Sequence, residues 1–185
     1  MTSCSETRRR SWLASRQRLQ DSRRQARLSP DGELVPLADQ DRALRDTGAI
    51  DEGLQMLARV EAQRRPGPDQ LQAAIAAGHP ESSDPAVIEA AYDALLRFDA
   101  SPVARLNHAV AVAQAGDIRR GLELIDAIEG LNEYRHFHSA RADLLRRAGL
   151  LADANAAYRA AIALSDDGPE RRFLVRRLRE IASSA

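Results

Sequence analysis

The 185-residue chain carries 27 basic residues, all arginine, against 27 acidic ones, so its formal net charge is zero and nothing in the overall balance points to nucleic acid or a membrane surface. Aromatic residues are scarce, one Trp, three Tyr and three Phe, so the core must be built from aliphatic side chains on helices, and an all-α class follows. No apolar run approaches the roughly 18 residues of a spanning helix, the N-terminus lacks the apolar stretch of a secretion signal, and the single Cys4 has no disulfide partner, which together describe a cytoplasmic protein.

Residues 1–10 (MTSCSETRRR) are polar and aperiodic. A weakly amphipathic helix is expected from Ser11 to Leu28, with sparse apolar residues at Trp12, Leu13, Leu19, Ala26 and Leu28. Residues 1–28 hold eight arginines against Glu6 and Asp21, a local charge of +6 that suits either a solvated arm or contact with an anionic partner. Pro30-Asp31-Gly32 then makes a turn and ELVPL a short extended segment. We therefore divide the chain into a basic arm or weak helix (1–28), a linker (29–46) and a helical domain (47–185).

Helical periodicity resumes at Thr47, with Ile50, Leu54, Leu57, Ala58 and Val60 on one side, and stops at RRPGPD. A short helix, DQLQAAIAAG, follows and closes at Gly78. Asp84 caps the next helix with Pro85 at its first position, and Val87, Ile88, Ala91, Tyr92, Leu95 and Leu96 face inward. Ser101-Pro102 repeats that entry signal for a helix ending at Gly116. Asp117 caps the one after, which turns Leu122, Ile125 and Ile128 inward. A second pair spans Tyr134 to Ala148 and Leu151 to Leu164, and Gly168-Pro169 opens the final helix, PERRFLVRRLREI. No strand is required.

The stretches HAVAVAQAGDIRRGLELIDAI and ARADLLRRAGLLADANAAYRAAI are two versions of one helical hairpin, with Gly116 and Gly149 33 residues apart. Superposing those glycines sets Ala109 on Ala142, Val112 on Leu145, Gly121 on Ala154, Ile125 on Tyr158 and Ile128 on Ala161. Small residues are needed where helix axes come within about 8 to 10 Å. A period of ~34 residues with this small-and-large sequence is tetratricopeptide-like, although Arg105 and His138 stand at the usual first-helix Trp. The expected fold is a set of such hairpins stacked in a short right-handed array.

From Asp31 to Ile181 the ordered blocks DGELVPLADQDR, PGPDQLQAAIAA, AAYDALLRFDASPVARLNHAVAVA, HSARADLLRRAG, AAYRAAIAL and ERRFLVRRLREI resemble the C-terminal extension of extracytoplasmic-function RNA polymerase sigma factors. The regions of those proteins that bind polymerase and promoter have no counterpart in this sequence. The resemblance implies a protein-interaction module in transcription control, associated with a sigma factor or RNA polymerase and without a catalytic step of its own.

Chemistry is correspondingly hard to assemble. His136 and His138 are two residues apart and point away from one another on a helix, and His108 lies in the preceding hairpin, so no metal site is expected. No nucleophile has a base at helical spacing, RRPGPDQ lacks the Lys and strand of a phosphate loop, and no cofactor is implied. A tetratricopeptide-like array binds its partners on the groove lined by the first helix of each hairpin. Here those positions are Val103, Leu106, Val110, Ala113 and Gln114, then His136, Ser139, Asp143, Arg146 and Arg147, with the last two as charged anchors. Two alternatives stand beside this reading. One is nucleic-acid contact through the Arg-rich head and the final helix with Arg171, Arg172, Arg176, Arg177 and Arg179. The other is a non-functional remnant of a truncated sigma-factor gene.

Overall fold

The computed structural model describes residues 13–15, 17–35, 39–61, 75 and 85–183, with side chains described except at 57–61 and 85–87. Trp12, the DQLQAAIAAG helix apart from Ile75, and the Asp84 cap lie outside the described residues. Among the described residues every regular element is an α-helix or a 3-10 turn, and β pairing is confined to an isolated antiparallel bridge between Leu28 and Leu34. The all-α class is therefore the observed one. The helices are α1 (Thr47–Glu61), α2 (Pro85–Leu96), α3 (Pro102–Gln114), α4 (Ile118–Asp126), α5 (Arg135–Arg147), α6 (Leu151–Ala163) and α7 (Pro169–Ala182).

Two compact units divide the chain: Met1–Arg27 with Ala38–Ala100, and Leu28–Leu37 with Ser101–Ala185. The segment read as a linker, 29–46, is thus shared between them. In the first unit, residues 13–15 and 17–21 are helical and continue through a turn into a 3-10 turn, Gln25–Arg27. Among the described residues of this segment the buried positions are Ser15, Leu19, Ser22 and Ala26, spaced as one face of a helix. Two of the four are serines, which is why the apolar pattern looked weak. Ser22 satisfies its buried hydroxyl by donating to the Leu19 carbonyl at 2.7 Å. Helix α1 comes so close that a Cβ at Gly53 would lie 2.7 Å from Leu19 Cγ. Asp46 fixes the entry to α1: its carboxylate accepts from the Ala49 N–H at 2.9 Å, and its own N–H donates to the Ser22 carbonyl at 2.8 Å.

The second unit holds the repeated hairpins. Ser101 caps α3 with Pro102 at its first position, and Asp117 Oδ1 accepts from the Arg120 N–H at 2.9 Å to cap α4. Gly116 (φ 119°) and Gly149 (φ 78°) make the two interhelix turns. Both lie in the left-handed region that a side chain disfavours. Every position paired by the superposition is buried in both copies: Ala109 and Ala142, Val112 and Leu145, Gly121 and Ala154, Ile125 and Tyr158, Ile128 and Ala161. At the α3–α4 crossing a Cβ on Gly121 would sit 2.7 Å from the Ala113 Cβ and 2.9 Å from the Ala109 carbonyl oxygen.

Two adjoining cores follow from this packing. Leu106, Ala109, Ile125, Ile128, Leu131 and Phe137 form one, and Ala142, Leu145, Ala154, Ala157, Tyr158, Ala161, Leu174 and Ile181 the other. Leu174 and Ile181 come from α7, which closes the open side of α6. The predicted turn at Pro30-Asp31-Gly32 is present, with Gly32 at φ 72° and the Ser29 N–H bonded to the Glu33 carbonyl at 2.8 Å. Two α7 arginines hold it. Arg172 donates to the Gly32 carbonyl at 2.7 Å, and Arg176 pairs with Glu33 at 3.3 Å.

Candidate partner groove

Helices α3 and α5 are the first members of the two hairpins, and they pack beside one another. Their C-terminal ends are tied by Arg147, whose guanidinium donates to the Ala113 carbonyl at 2.9 Å. That carbonyl belongs to the last turn of α3 and also accepts from the Gly116 N–H at 3.4 Å. Arg147 adds a second donor, from the neighbouring repeat.

The residues expected to line a groove divide into two sets. Val103 is 41% exposed, Gln114 and His136 are exposed, and Val110, Ser139 and Asp143 are half-buried. Leu106 does not line a groove: at 3% exposure it packs with Ile125, Ile128 and Phe137 in the core. Ala113 is fully buried as well. Both were assigned by spacing along α3, and spacing alone does not say that α4 covers that side of the helix.

Arg146 and Arg147 are each engaged within the chain. Arg146 contacts Asp143 Oδ1 at 2.7 Å, and its charged form is favoured by the hydrogen bond to Asp143, against the cost of partial burial. Tyr158 in turn is 1% exposed. Its phenol is pushed above its ordinary range by burial and by the Asp143 charge, which outweigh Arg146 and Arg177. Arg146 is therefore paired along α5, and Arg147 is tied to the end of α3.

Glu170, in the first turn of α7, escaped the sequence reading. Its carboxylate pairs with Arg135 at 2.9 Å and with His136 Nδ1 at 3.1 Å. Acidic residues favour a helix N-terminus in any case, so nothing in the sequence signals that this one joins α7 to the start of α5. His138 takes a separate partner, with Nε2 2.7 Å from the Asn132 carbonyl. His136 and His138 thus serve different contacts, as their two-residue spacing requires.

Four of the final-helix arginines, Arg171, Arg172, Arg176 and Arg177, have internal partners. Arg171 pairs with Asp167 at 3.7 Å and Arg177 with Glu180 at 2.9 Å, in addition to the contacts of Arg172 and Arg176 with the 29–33 turn. Arg176 and Arg177 lie 5.6 and 5.2 Å from the Phe173 ring centroid.

Residues 3–61 match the model of a family of unknown function (DUF6596). The matched stretch covers the start of the first unit and the turn at 29–33, and ends with α1. Over 171 residues the chain is 39% identical to an uncharacterized protein of Rhizobium meliloti (strain 1021), an alignment that covers 89% of this chain and 40% of that protein. The chain thus spans two fifths of the length of the curated relative it matches. No solved structure matches. No described helix is long and apolar enough to cross a membrane.

Proposed function

We propose that the chain is a non-catalytic, cytoplasmic protein-interaction module, tetratricopeptide-like, of the kind that extends extracytoplasmic-function sigma factors. It contributes to control of transcription initiation by holding a sigma factor or RNA polymerase against α3 and α5. The observation that carries this reading is the pair of hairpins in one register, with the ends of α3 and α5 linked by Arg147 and with Val103, Gln114 and His136 left exposed along those two helices. An apolar side chain beside polar ones on adjacent helices suits an extended segment or a helix of a partner.

Contact with nucleic acid through the final helix is less favoured, because Arg171, Arg176 and Arg177 already face carboxylates of the same chain. Titration of the labelled protein with a purified sigma factor and with core RNA polymerase separates the readings. Association through the groove is expected to weaken only slightly with added salt, where phosphate contacts give a steep fall. Val103→Asp with Gln114→Ala is expected to lower affinity by about tenfold or more while leaving the thermal midpoint in place, since both side chains are exposed. Absence of binding to either protein would remove the proposal.

A further inference from the structure

One face of α3 carries a stripe that alternates apolar and amide side chains. Val103, Asn107, Val110 and Gln114 stand four, three and four residues apart, the spacing of a single helix face. Val103, Asn107 and Gln114 are exposed and Val110 is half-buried, while positions 104, 106, 109 and 111–113 are buried on the other sides. Among the described residues the amides of Asn107 and Gln114 make no hydrogen bond within the chain. Each keeps two N–H donors and a carbonyl acceptor for another molecule.

Arg147 stands at the Gln114 end of this stripe, through its bond to the Ala113 carbonyl. Of the four arginines on α5, three meet carboxylates: Arg135 with Glu170 at 2.9 Å, Arg141 with Asp126 at 2.7 Å and Arg146 with Asp143 at 2.7 Å. Arg147 is exposed and, among the described residues, meets no carboxylate; its one bond goes to a neutral carbonyl at 2.9 Å. That bond fixes a long side chain in place and leaves its charge and its remaining N–H groups to spare. A guanidinium held in this way loses little further freedom when an acid meets it.

We propose that the stripe takes an extended, acidic segment of a partner protein, with apolar side chains on Val103 and Val110, main chain bonded to the Asn107 and Gln114 amides, and a carboxylate on Arg147. This rests on the reading of α3 and α5 as the partner surface and names the chemistry of what binds there. A helical segment satisfies its own main chain and has nothing to offer the two amides, whereas an extended one brings unpaired N–H and C=O groups. The carboxylate follows from charge complementarity with the one α5 arginine that has no acid among the described residues. From Val103 to Gln114 is eleven residues, about 16 Å along the helix, a length that an extended chain covers in about five residues. The segment therefore has an acidic residue about five places from an apolar one.

The probe is a synthetic peptide of eleven residues with blocked ends, leucine at the centre, glutamate at both ends and threonine elsewhere, so that either chain direction presents the same spacing. It is titrated with the full chain and followed by fluorescence anisotropy, beside versions ending in glutamine or lysine. The glutamate peptide is expected to bind about tenfold or more tighter than the glutamine one. Asn107→Ala with Gln114→Ala should weaken it by about tenfold or more. Arg147→Gln should bind the glutamate and glutamine peptides alike, and Arg147→Glu should turn the preference to the lysine peptide, a reversal that loss of structure does not produce. Arg120→Gln, on the exposed side of α4, should keep the wild-type preference.

No measurable binding of any peptide, equal affinity of the wild type for the glutamate and glutamine peptides, a glutamate preference that survives Arg147→Gln, or undiminished binding by the double amide variant would each overturn the inference. Competition separates it from the wider reading. If a sigma factor or core RNA polymerase binds and the glutamate peptide does not displace it, the acidic segment is refuted and the interaction module stands. If the peptides are selected as described and neither protein binds, the acidic segment stands and the assignment to those two partners falls.

Discussion

Gly121 shows how one position can set a distance between helices. With a would-be Cβ only 2.7 Å from Ala113 Cβ and 2.9 Å from the Ala109 carbonyl, α3 and α4 must separate to admit even one methyl, and one of the obstacles is backbone. Gly121→Ala is expected to destabilise the protein by about 1–3 kcal/mol, despite the better helix propensity of alanine, as read from the urea midpoint at constant m-value. Tyr158 makes a different demand. Its folded-state pKa lies above the unfolded value near about 10. Its neutral form therefore adds stability that is complete below that pH and lost as pH rises through the folded value. Tyr158→Phe removes that dependence. Unfolding followed across alkaline pH for both proteins checks the two statements together.

At the scale of elements, start signals behaved as local chemistry and were readable in the sequence. Ser101 with Pro102 and Asp117 each satisfy main-chain donors within their own first turn, so neighbouring residues suffice to define them. Replacing Asp117 by Ala is expected to cost about 1 kcal/mol, measurable as a lower denaturation midpoint with unchanged helical circular dichroism. The opening helix shows the opposite case. Its buried face contains Ser15 and Ser22 beside Leu19 and Ala26, a pattern that registers as polar although every one of those side chains is small enough to sit near another helix or, like Leu19, fits against Gly53. The 29–33 turn forms by its own sequence, but its attachment to α7 through Arg172 and Arg176 is a contact between residues about 140 positions apart.

Across the molecule, the second unit carries both aliphatic cores between Leu106 and Ile181. A fragment of residues 101–185 is therefore expected to fold cooperatively with a helical spectrum, since it keeps every residue of those two cores and loses the turn on α7. The slowest amide exchange should map to α3–α6. A fragment without a cooperative transition would show that the turn is essential to the unit. The groove is the part that sequence described least well. Val103, Gln114 and His136 are exposed, whereas Leu106 is in the core and Arg146 and Arg147 are tied within the chain.

Composition, helix starts and the 33-residue spacing of Gly116 and Gly149 determined the all-α class and the paired hairpins, because helix period, capping and glycine turns are properties of a few consecutive residues. Which side of α3 is covered, that Glu170 meets Arg135 and His136, and that Arg147 reaches the Ala113 carbonyl were decided only by tertiary structure. Those contacts depend on how whole helices and turns are placed against one another, and a guanidinium on a long flexible stem carries no mark in the sequence of the partner it will reach.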